Sequence, residues 1–533
     1  MTTTPAWLAN LLTLLACITR LALLDHPATP VYDETHVGRF LGWYSSGEFF
    51  FDVHPPLSKL LMFWCARVLG YRGAASCPYE STEPFAAACD LAPQRLVPAL
   101  CGAAMVPLAL SSAAAMGLHP LAAAAAAWLV LVDTLWLGVS RIHLNDMPQM
   151  LFIALTHHLA LHSCRLPAAA AAKDADAAPA VTLRGALLLL ATGLALGGAL
   201  QCKYAMALTT LGWLGLQNLL VLASIAAARR TRRVRTLLAQ ATTRGVLLLG
   251  APVVLHLALL RVHLAYLPRS GNGDNYLSRA FQATLDGNAH AARVAVDARP
   301  GFFATAAEHL AAQVHYNRNM AVLFPRGSHA FDSPWHTWPL AWRGVYFGLV
   351  KDWRAVAAAP GGRHLLGFLL HPNPAIALGT AAAAALCAVA VLASAARAAW
   401  RRQLGVRWAA DHFAPGRTGS LLGAFLLHWL PYATQARQTF ILYYLPAYYF
   451  AILLAARGWH LVVCERLRPT AAAALTAALC AVAAAVSWRT AVLAVGAPAT
   501  VAEWERALRL ASTECWFGRP CPFRPAAENC TAE

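Results

Sequence analysis

The stretch YDETHVGRFLGWYSSGEFFFDVHPPLSKLL, residues 32–61, follows an apolar segment at residues 6–24 that is suited to a membrane. It places the adjacent acids Asp33 and Glu34 close to the end of that segment, and Asp52 and His54 beside a double proline. An acid or base in the middle of a bilayer costs about 2.5–3.5 kcal/mol on insertion scales, whereas charge at the membrane boundary is more readily solvated. Paired carboxylates at this boundary indicate chemistry on a lipid-borne substrate.

The composition is that of a polytopic membrane protein. Of the 533 residues, 59% are hydrophobic and 13% are charged, whereas soluble domains average roughly 25% charged residues. The net charge of +17 is compatible with nucleic-acid binding, but the basic residues lie mostly in short loops between apolar runs, which is the pattern of membrane orientation. We therefore expect no nucleic-acid partner. The 13 cysteines include no CxxC and no zinc spacing, so we expect no metal site.

About 20 apolar residues cross a bilayer, and on that measure the sequence predicts an all-α fold with about eleven transmembrane helices. The predicted spans are 6–24, 95–116, 119–138, 143–162, 184–200, 205–225, 244–263, 374–396, 419–433, 441–457 and 471–491. Residues 38–70 are amphipathic and contain the double proline, which indicates interfacial helices instead of a span.

These spans predict four regions. An N-terminal membrane module of about seven spans covers 1–264, with a first large loop at 25–94, and a loop region follows at 265–372. A C-terminal module of about four spans covers 373–491, and a tail covers 492–533. The sparse apolar periodicity of 265–372 predicts a cap of helices and loops.

Loop charges predict the orientation. The basic sequence RRTRRVR at 229–235, the arginines of 397–417 and those that follow residue 456 fall on one side of an eleven-span protein. The positive-inside rule makes that side cytoplasmic. The opposite face then receives the candidate functional residues: Asp33, Glu34, Asp52, His54, Arg141, Asp146, Lys203, Arg437 and Gln438.

Each candidate has a structural alternative. Asp33 and Glu34 diverge by about 100° on a helix, so one can accept a proton while the other holds a base or substrate, or both can be solvated acids at a loop start. Arg141 and Asp146 can form an ion pair that anchors a helix end. Lys203 needs a partner or water at a span boundary, or snorkels to the surface.

Arg437 lies in QARQTF between two apolar runs on the non-cytoplasmic side, where a guanidinium can bind a phosphate bidentately. A transporter or flippase is a rival class, but it needs polar residues spread through the bilayer and repeat symmetry. Charges gathered at one face favour an enzyme.

Seven ordered blocks of the sequence resemble the protein O-mannosyltransferase family. They are DETH followed by FDVHPPLSKLL, SRIHLND at 140–146, the lysine of QCKYAMAL, FQATLDGN at 281–288, SPWHTWPLAWRG, HPNP at 371–374 and RQTFILYYLPAYYF at 437–450. The resemblance implies a GT-C glycosyltransferase that transfers mannose, with inversion, from dolichyl (or another polyprenyl) phosphate mannose to Ser or Thr of secretory or membrane proteins. The alternatives are a related transferase of another lipid-linked sugar and a non-catalytic binding subunit.

The resemblance also implies roles for individual residues. Asp33 is the catalytic base with Glu34 as its companion, and Arg141, Lys203 and Arg437 lie at the donor phosphate. The supporting residues are Asp52, His54, Arg95, Asp146 and Gln438. No metal or cofactor is implied, because basic side chains can replace a divalent ion.

The family resemblance further implies a multi-pass protein of the endoplasmic reticulum membrane, with a bacterial plasma membrane as the alternative, and a homodimer or a heterodimer with a related subunit. Two features depart from the family pattern. The β-trefoil MIR domain of eukaryotic members has no room between FQATLDGN and SPWHTWPL. The histidine-rich pattern before LPA is replaced by Ile441, Leu442, Tyr443 and Tyr444.

Overall fold

The apolar segments fold into a bundle of helices in a computed structural model of the protein, which describes residues 5–73, 90–164, 181–227, 233–349, 356, 358–359 and 361–516. The helices are α1 Ala6–Leu21, α2 Glu34–Ser46, α3 Leu57–Val68, α4 Ala92–Ala115, α5 Pro120–Val132, α6 Thr134–Ser140, α7 Asp146–Ser163, α8 Leu183–Cys202, α9 Tyr204–Ala227, α10 Arg233–Gly245, α11 Ala251–Tyr266, α12 Arg279–Gln282, α13 Phe302–Leu323, α14 Pro374–Trp400, α15 Val406–Phe413, α16 Thr418–Trp429, α17 Leu445–Trp459, α18 Pro469–Val495, α19 Val501–Ala511 and α20 Thr513–Trp516. Two short strands, β1 Val345–Gly348 and β2 Gly367–Leu370, form an antiparallel hairpin.

Fewer helices are long and apolar enough to span a membrane than the eleven predicted from the sequence. Among the described residues seven helical segments are long and apolar enough to span, and α5 with α6 makes an eighth if their 56° bend lies within one span. The other three predicted spans are helical as α1, α7 and α16. Helices α1 and α16 have 16 and 12 residues, short of a full crossing. Helix α7 has 18 residues, but polar side chains such as Gln149 and His157 reduce its hydropathy.

The helices approach one another closely at two glycines. A Cβ atom at Gly102 of α4 would lie 2.0 Å from the Ser140 hydroxyl at the end of α6. One at Gly193 of α8 would lie 2.1 Å from the carbonyl oxygen of Leu247. Small residues permit this close approach of transmembrane backbones. The packing of α4 against α6 therefore fixes the start of the 140–146 segment.

The bend between α5 and α6 is fixed by a fully buried acid, Asp133. Its carboxylate caps α6 by accepting hydrogen bonds from Leu135 N (2.9 Å) and Trp136 N (3.1 Å). It also accepts hydrogen bonds from Asn373 N (2.9 Å) and from the Tyr448 hydroxyl (2.7 Å). The carboxylate thus joins the bend to the start of α14 and to α17, which holds the N-terminal and C-terminal helices together.

The residues predicted as interfacial form α2 and α3, and neither is long enough to span a membrane. In region 265–372 the described residues form short helices and loops, together with α13 of 22 residues. The β1–β2 hairpin was not predicted, because strands of four residues leave little periodicity to read. Of the predicted segments, residues 74–89 of the first loop, 228–232 of the basic loop and 517–533 of the tail lie outside the described residues.

Candidate active site

The two adjacent acids at the start of α2 have different surroundings, and Glu34 is the buried one. Its carboxylate is fully buried and accepts two parallel hydrogen bonds from Arg95, from Nε at 2.9 Å and from Nη2 at 2.8 Å. The main-chain N–H groups of His143 and Val31 also donate to it, each at 2.9 Å. The ring Nδ1 of His143 lies 2.8 Å from the same carboxylate. Both carboxylate oxygens of Glu34 are therefore occupied by protein groups.

Burial alone would raise the pKa of Glu34, but Arg95 and His143 outweigh it and hold that pKa below its ordinary range. Arg95 also donates to the carbonyl oxygens of Leu24 (3.2 Å), Pro27 (2.8 Å) and Thr29 (3.3 Å). The Arg95–Glu34 pair thus ties the loop after α1 to the start of α4. Together with His143, it also holds the segment between α6 and α7.

Asp33, in contrast, is exposed, and its side chain has no hydrogen bond or ion pair within the part of the chain that the structure describes. Desolvation by the surrounding protein raises the pKa of Asp33. The positive charges of His36 and Lys203 act against this rise, and the carboxylates of Asp146 and Asp52 add to it. An accessible carboxylate with a raised pKa and no partner is suited to accept a proton.

Asp52 organises the double-proline turn before α3. Its carboxylate forms an ion pair with the buried ammonium group of Lys59, which also donates to the carbonyl oxygens of His54 (2.9 Å) and Pro55 (3.0 Å). Gln313 of α13 donates to the main-chain oxygen of Asp52 at 3.0 Å. Burial lowers the pKa of the His54 imidazole to about 3, so this half-buried ring is neutral at neutral pH.

Two cations meet at the ring of Tyr443. Lys203 follows α8, and its ammonium group donates to Asp146 at 3.1 Å and lies 5.0 Å from the centre of the Tyr443 ring. Arg437 donates from Nη2 to the Tyr443 hydroxyl at 2.9 Å. Among the described residues, no acid lies within ion-pair distance of Arg437. Its half-buried guanidinium therefore has positive charge available for an anionic ligand.

Gln438 holds the Arg437 segment against the end of α13. Its main-chain N–H donates to Phe324 O at 2.9 Å, and its side-chain oxygen accepts a hydrogen bond from the Ser328 hydroxyl at 3.2 Å. Pro325 and Arg437 form an isolated antiparallel bridge in the same place. Gln438 contacts the loop that supports Arg437.

Arg141 lies at the C-terminal end of α1. Its guanidinium donates to the carbonyl oxygens of Ala22 (2.6 Å), Arg20 (3.3 Å) and Leu23. The last carbonyls of a helix have no partner within the helix, and Arg141 supplies partners for these. In a reciprocal contact, Arg20 donates to Leu131 O (2.7 Å) at the end of α5.

The structure thus brings most of the predicted residues to one end of the bundle, in two connected groups. One group fixes the end of α1 and the start of α2 and contains Glu34, Arg95 and Arg141. The other group lies around the accessible acid Asp33 and contains Asp52, His54, Asp146, Lys203 and Arg437, with Gln438 on the loop that carries Arg437. Sequence reasoning missed three participants, His143, Lys59 and Tyr443. They lie inside the quoted motifs SRIHLND, FDVHPPLSKLL and RQTFILYYLPAYYF, so their motifs were found but their contacts were not.

Comparison with known proteins identifies the family. The sequence model of the family described as dolichyl-phosphate-mannose-protein mannosyltransferase matches residues 10–267. A second family model, described as the C-terminal four-TMM region of protein-O-mannosyltransferase, matches residues 303–513. Dolichyl-phosphate-mannose–protein mannosyltransferase 1 of Candida albicans is 31% identical over 287 residues, which are 53% of this chain and 30% of the relative. The Saccharomyces cerevisiae protein of the same name is 30% identical over 322 residues, 60% of this chain and 37% of the relative. The matches thus span about a third of these relatives' length.

A solved structure shares the fold. The Saccharomyces cerevisiae protein O-mannosyltransferase Pmt1–Pmt2 complex, bound to the sugar donor, contains a chain that superposes with a TM-score of 0.78 at 18% identity. The superposition covers 95% of this chain and 92% of that one. The predicted all-helical, multi-span fold of the GT-C type is confirmed. With two family models matching in order along the sequence, the chain belongs to the protein O-mannosyltransferase family.

Proposed function

We propose that the protein transfers mannose from dolichyl phosphate mannose to Ser or Thr hydroxyls of protein acceptors. The observation that carries this proposal is that Asp33, an accessible acid with no hydrogen bond or ion pair in the described chain, lies at the same end of the bundle as two cations, Lys203 and Arg437. Family membership supports the reaction, because the similar curated proteins are named dolichyl-phosphate-mannose–protein mannosyltransferases.

In the proposed reaction, the acceptor hydroxyl gives its proton to the Asp33 carboxylate while its oxygen attacks C1 of the mannose. The bond between C1 and the phosphate oxygen breaks, and its electron pair stays on that oxygen. Attack opposite the leaving group inverts the configuration at C1, from a β-linked donor to an α-mannoside. The proton then passes from Asp33 to solvent, which restores the base. A positioned general base typically contributes about 10²–10⁴-fold in rate.

The leaving group gains one negative charge when the bond breaks, because a phosphodiester becomes a phosphate monoester. Arg437 and Lys203 would stabilise that charge, and such stabilisation is often the largest catalytic contribution. Arg437 fits the role best because its guanidinium has no acidic partner among the described residues. Lys203 shares its charge with Asp146. Arg141, which was predicted at the donor phosphate, has a proposed positioning role at the end of α1.

We assign Glu34 a positioning role as well. Because Arg95, His143 and Val31 occupy its carboxylate, it has no free oxygen with which to bind a proton or substrate. Its contacts fix the first turn of α2 and hence the main chain of Asp33. A buried, fully hydrogen-bonded carboxylate is suited to this task because its several hydrogen bonds hold the surrounding main chain in a single arrangement.

The proposed setting is the endoplasmic reticulum membrane, with Asp33 on the lumenal face, and a bacterial plasma membrane is the alternative. The basic sequences at 229–235 and 397–417, which are predicted to lie on the opposite side of the membrane, support this orientation. A dimer with a related subunit is part of the proposal, since the solved relative is a Pmt1–Pmt2 complex.

Transfer assays with purified protein test the proposal. The protein, in detergent, is given radiolabelled dolichyl phosphate mannose and a Ser/Thr-rich peptide, and labelled peptide is counted. Wild type should transfer mannose, and Asp33→Asn should transfer about 10²–10⁴-fold more slowly while still inserting into membranes. A parallel reaction with dolichyl phosphate glucose identifies the sugar. Failure of wild type to label the peptide from the mannose donor would reject the function, and near-normal turnover by Asp33→Asn would remove Asp33 from its role.

A further inference from the structure

Tyr443 joins the two cations of the proposed donor site. It lies in the turn Ile441–Tyr444 directly before α17. Its ring stacks on the buried ring of Tyr432, with centroids 5.6 Å apart and planes within 2° of parallel. This stacking fixes the ring, and with it the phenol hydroxyl that contacts Arg437, while Lys203 lies over the same ring.

The hydrogen bonds of this hydroxyl are incomplete. A phenol hydroxyl has two lone pairs and one proton to donate. Arg437 Nη2 donates to one lone pair at 2.9 Å, and no acceptor for the Tyr443 proton is present in the described parts of the chain. The side chain is half-buried, so a ligand can reach it. A hydroxyl that already accepts from a guanidinium is polarised and becomes a stronger donor.

The groups around the Tyr443 hydroxyl indicate which kind of ligand it can donate to. The Arg437 guanidinium and the Lys203 ammonium both lie at the ring, and Lys203 gives one of its hydrogen bonds to Asp146. Three kinds of N–H and O–H donor therefore converge with net positive charge, which suits an oxyanion such as phosphate.

We propose that the Tyr443 hydroxyl donates a hydrogen bond to the phosphate of the lipid-linked donor and is a donor-binding residue alongside Arg437 and Lys203. This inference rests on the proposed function. In the bound complex the Arg437 guanidinium donates hydrogen bonds to the phosphate, and the neutral Tyr443 hydroxyl donates to the same phosphate. The hydroxyl contacts the phosphate in both substrate and product, because dolichyl phosphate retains that group after mannose has left.

The variant Tyr443→Phe tests the inference because it removes the hydroxyl and keeps the ring, its stacking on Tyr432 and its contact with Lys203. A hydrogen bond to a charged group corresponds to about 10- to 100-fold in affinity. We expect the donor KM of this variant to rise by about that factor. The inhibition constant of dolichyl phosphate, which lacks mannose, should rise by the same factor.

Tyr444→Phe is the matched control. Tyr444 is the next residue, and its hydroxyl is fully buried with no partner among the described residues. Its removal should leave the donor KM and the dolichyl phosphate inhibition constant at wild-type values. Thermal unfolding of both variants, with and without dolichyl phosphate, shows whether each is folded and measures ligand binding without turnover.

The outcomes separate the two proposals. Wild-type donor KM and dolichyl phosphate affinity in Tyr443→Phe would overturn the Tyr443 inference while leaving mannosyl transfer intact. A raised donor KM with unchanged dolichyl phosphate inhibition would also overturn it, because the hydroxyl would then contact the sugar. Absence of transfer by wild type would instead reject the proposed function.

Discussion

Asp33 and Glu34 are neighbours in the chain, yet the protein surrounds them in opposite ways. Glu34 is fully buried, and its carboxylate accepts hydrogen bonds from three residues. Asp33 is exposed, without a hydrogen-bonding partner in the described chain, and its pKa is raised. Two adjacent carboxylates can therefore have different roles: we propose that Glu34 fixes the geometry of the site and that Asp33 takes part in the chemistry.

The largest expected difference between the two acids is in stability. Removal of one partner from a buried ion pair costs about 3–5 kcal/mol, because the other charge is left buried and unpaired. Glu34→Ala should therefore lower the free energy of unfolding by about 3–5 kcal/mol, since Arg95 keeps its charge inside the bundle. Denaturant unfolding in detergent micelles measures this.

Asp33→Ala is the matched control for that experiment. It removes an acid from the adjacent position, where no described residue pairs with it, so the free energy of unfolding should stay within about 0.5 kcal/mol of wild type. Equal losses of unfolding free energy in Glu34→Ala and Asp33→Ala would contradict the proposed difference between the two acids.

The second prediction concerns Arg437, one of the two cations at the same end of the bundle as Asp33. Arg437→Ala should raise the donor KM by about 10- to 100-fold, because a charged hydrogen-bond donor to phosphate is lost. Steady-state kinetics with varied dolichyl phosphate mannose measures the change. Arg401→Ala, at an exposed arginine after α14, is the control and should leave the donor KM unaltered. A normal donor KM in Arg437→Ala would reject the phosphate contact.

Arg141 should behave like Glu34 and unlike Arg437. Its removal leaves the carbonyl groups at the end of α1 without donors, which costs about 1–3 kcal/mol of unfolding free energy. The donor KM of Arg141→Ala should be close to wild type once the protein is folded. A large rise in donor KM with unchanged stability would contradict the positioning role and support a contact between Arg141 and the donor phosphate.

The smallest effect concerns pH. A base acts only when it is deprotonated, so transfer should fall about tenfold per pH unit below the Asp33 pKa. Because that pKa is raised, the acid limb of the kcat/KM profile should lie above the ordinary aspartate value of about 3.9. The pKa of Glu34 is lowered, so its protonation does not affect the kcat/KM profile in that pH range. Its contribution to stability is lost only when the pH falls below the ordinary glutamate range, towards its lowered pKa. An acid limb at or below about pH 3.9 would contradict the assignment.

Much of this architecture could be predicted from the sequence. Hydropathy located eight of the helical spans, and the ordered motifs identified the family and the residues that carry charge at one face. The other three predicted spans, at α1, α7 and α16, are helical, but α1 and α16 are short and α7 carries polar side chains, so length and composition alone do not mark them as spans.

The different surroundings of Asp33 and Glu34, on which their proposed roles rest, could not be predicted in this way. It depends on Arg95 and His143, which are 61 and 109 residues away from Glu34 along the chain. The capping role of Arg141 likewise depends on a contact 119 residues away, with Ala22. Tertiary packing decides which of the two adjacent acids is buried, and a local sequence pattern cannot predict that packing.

The most direct test of the account measures transfer and unfolding on the same preparations of wild type, Asp33→Asn and Glu34→Gln. Asp33→Asn should melt at the wild-type temperature and transfer mannose about 10²–10⁴-fold more slowly. Glu34→Gln should melt well below wild type and, at a temperature where it is still folded, retain far more activity than Asp33→Asn. The account is contradicted if Asp33→Asn transfers mannose at the wild-type rate, or if Glu34→Gln is as inactive as Asp33→Asn while its melting temperature is unchanged.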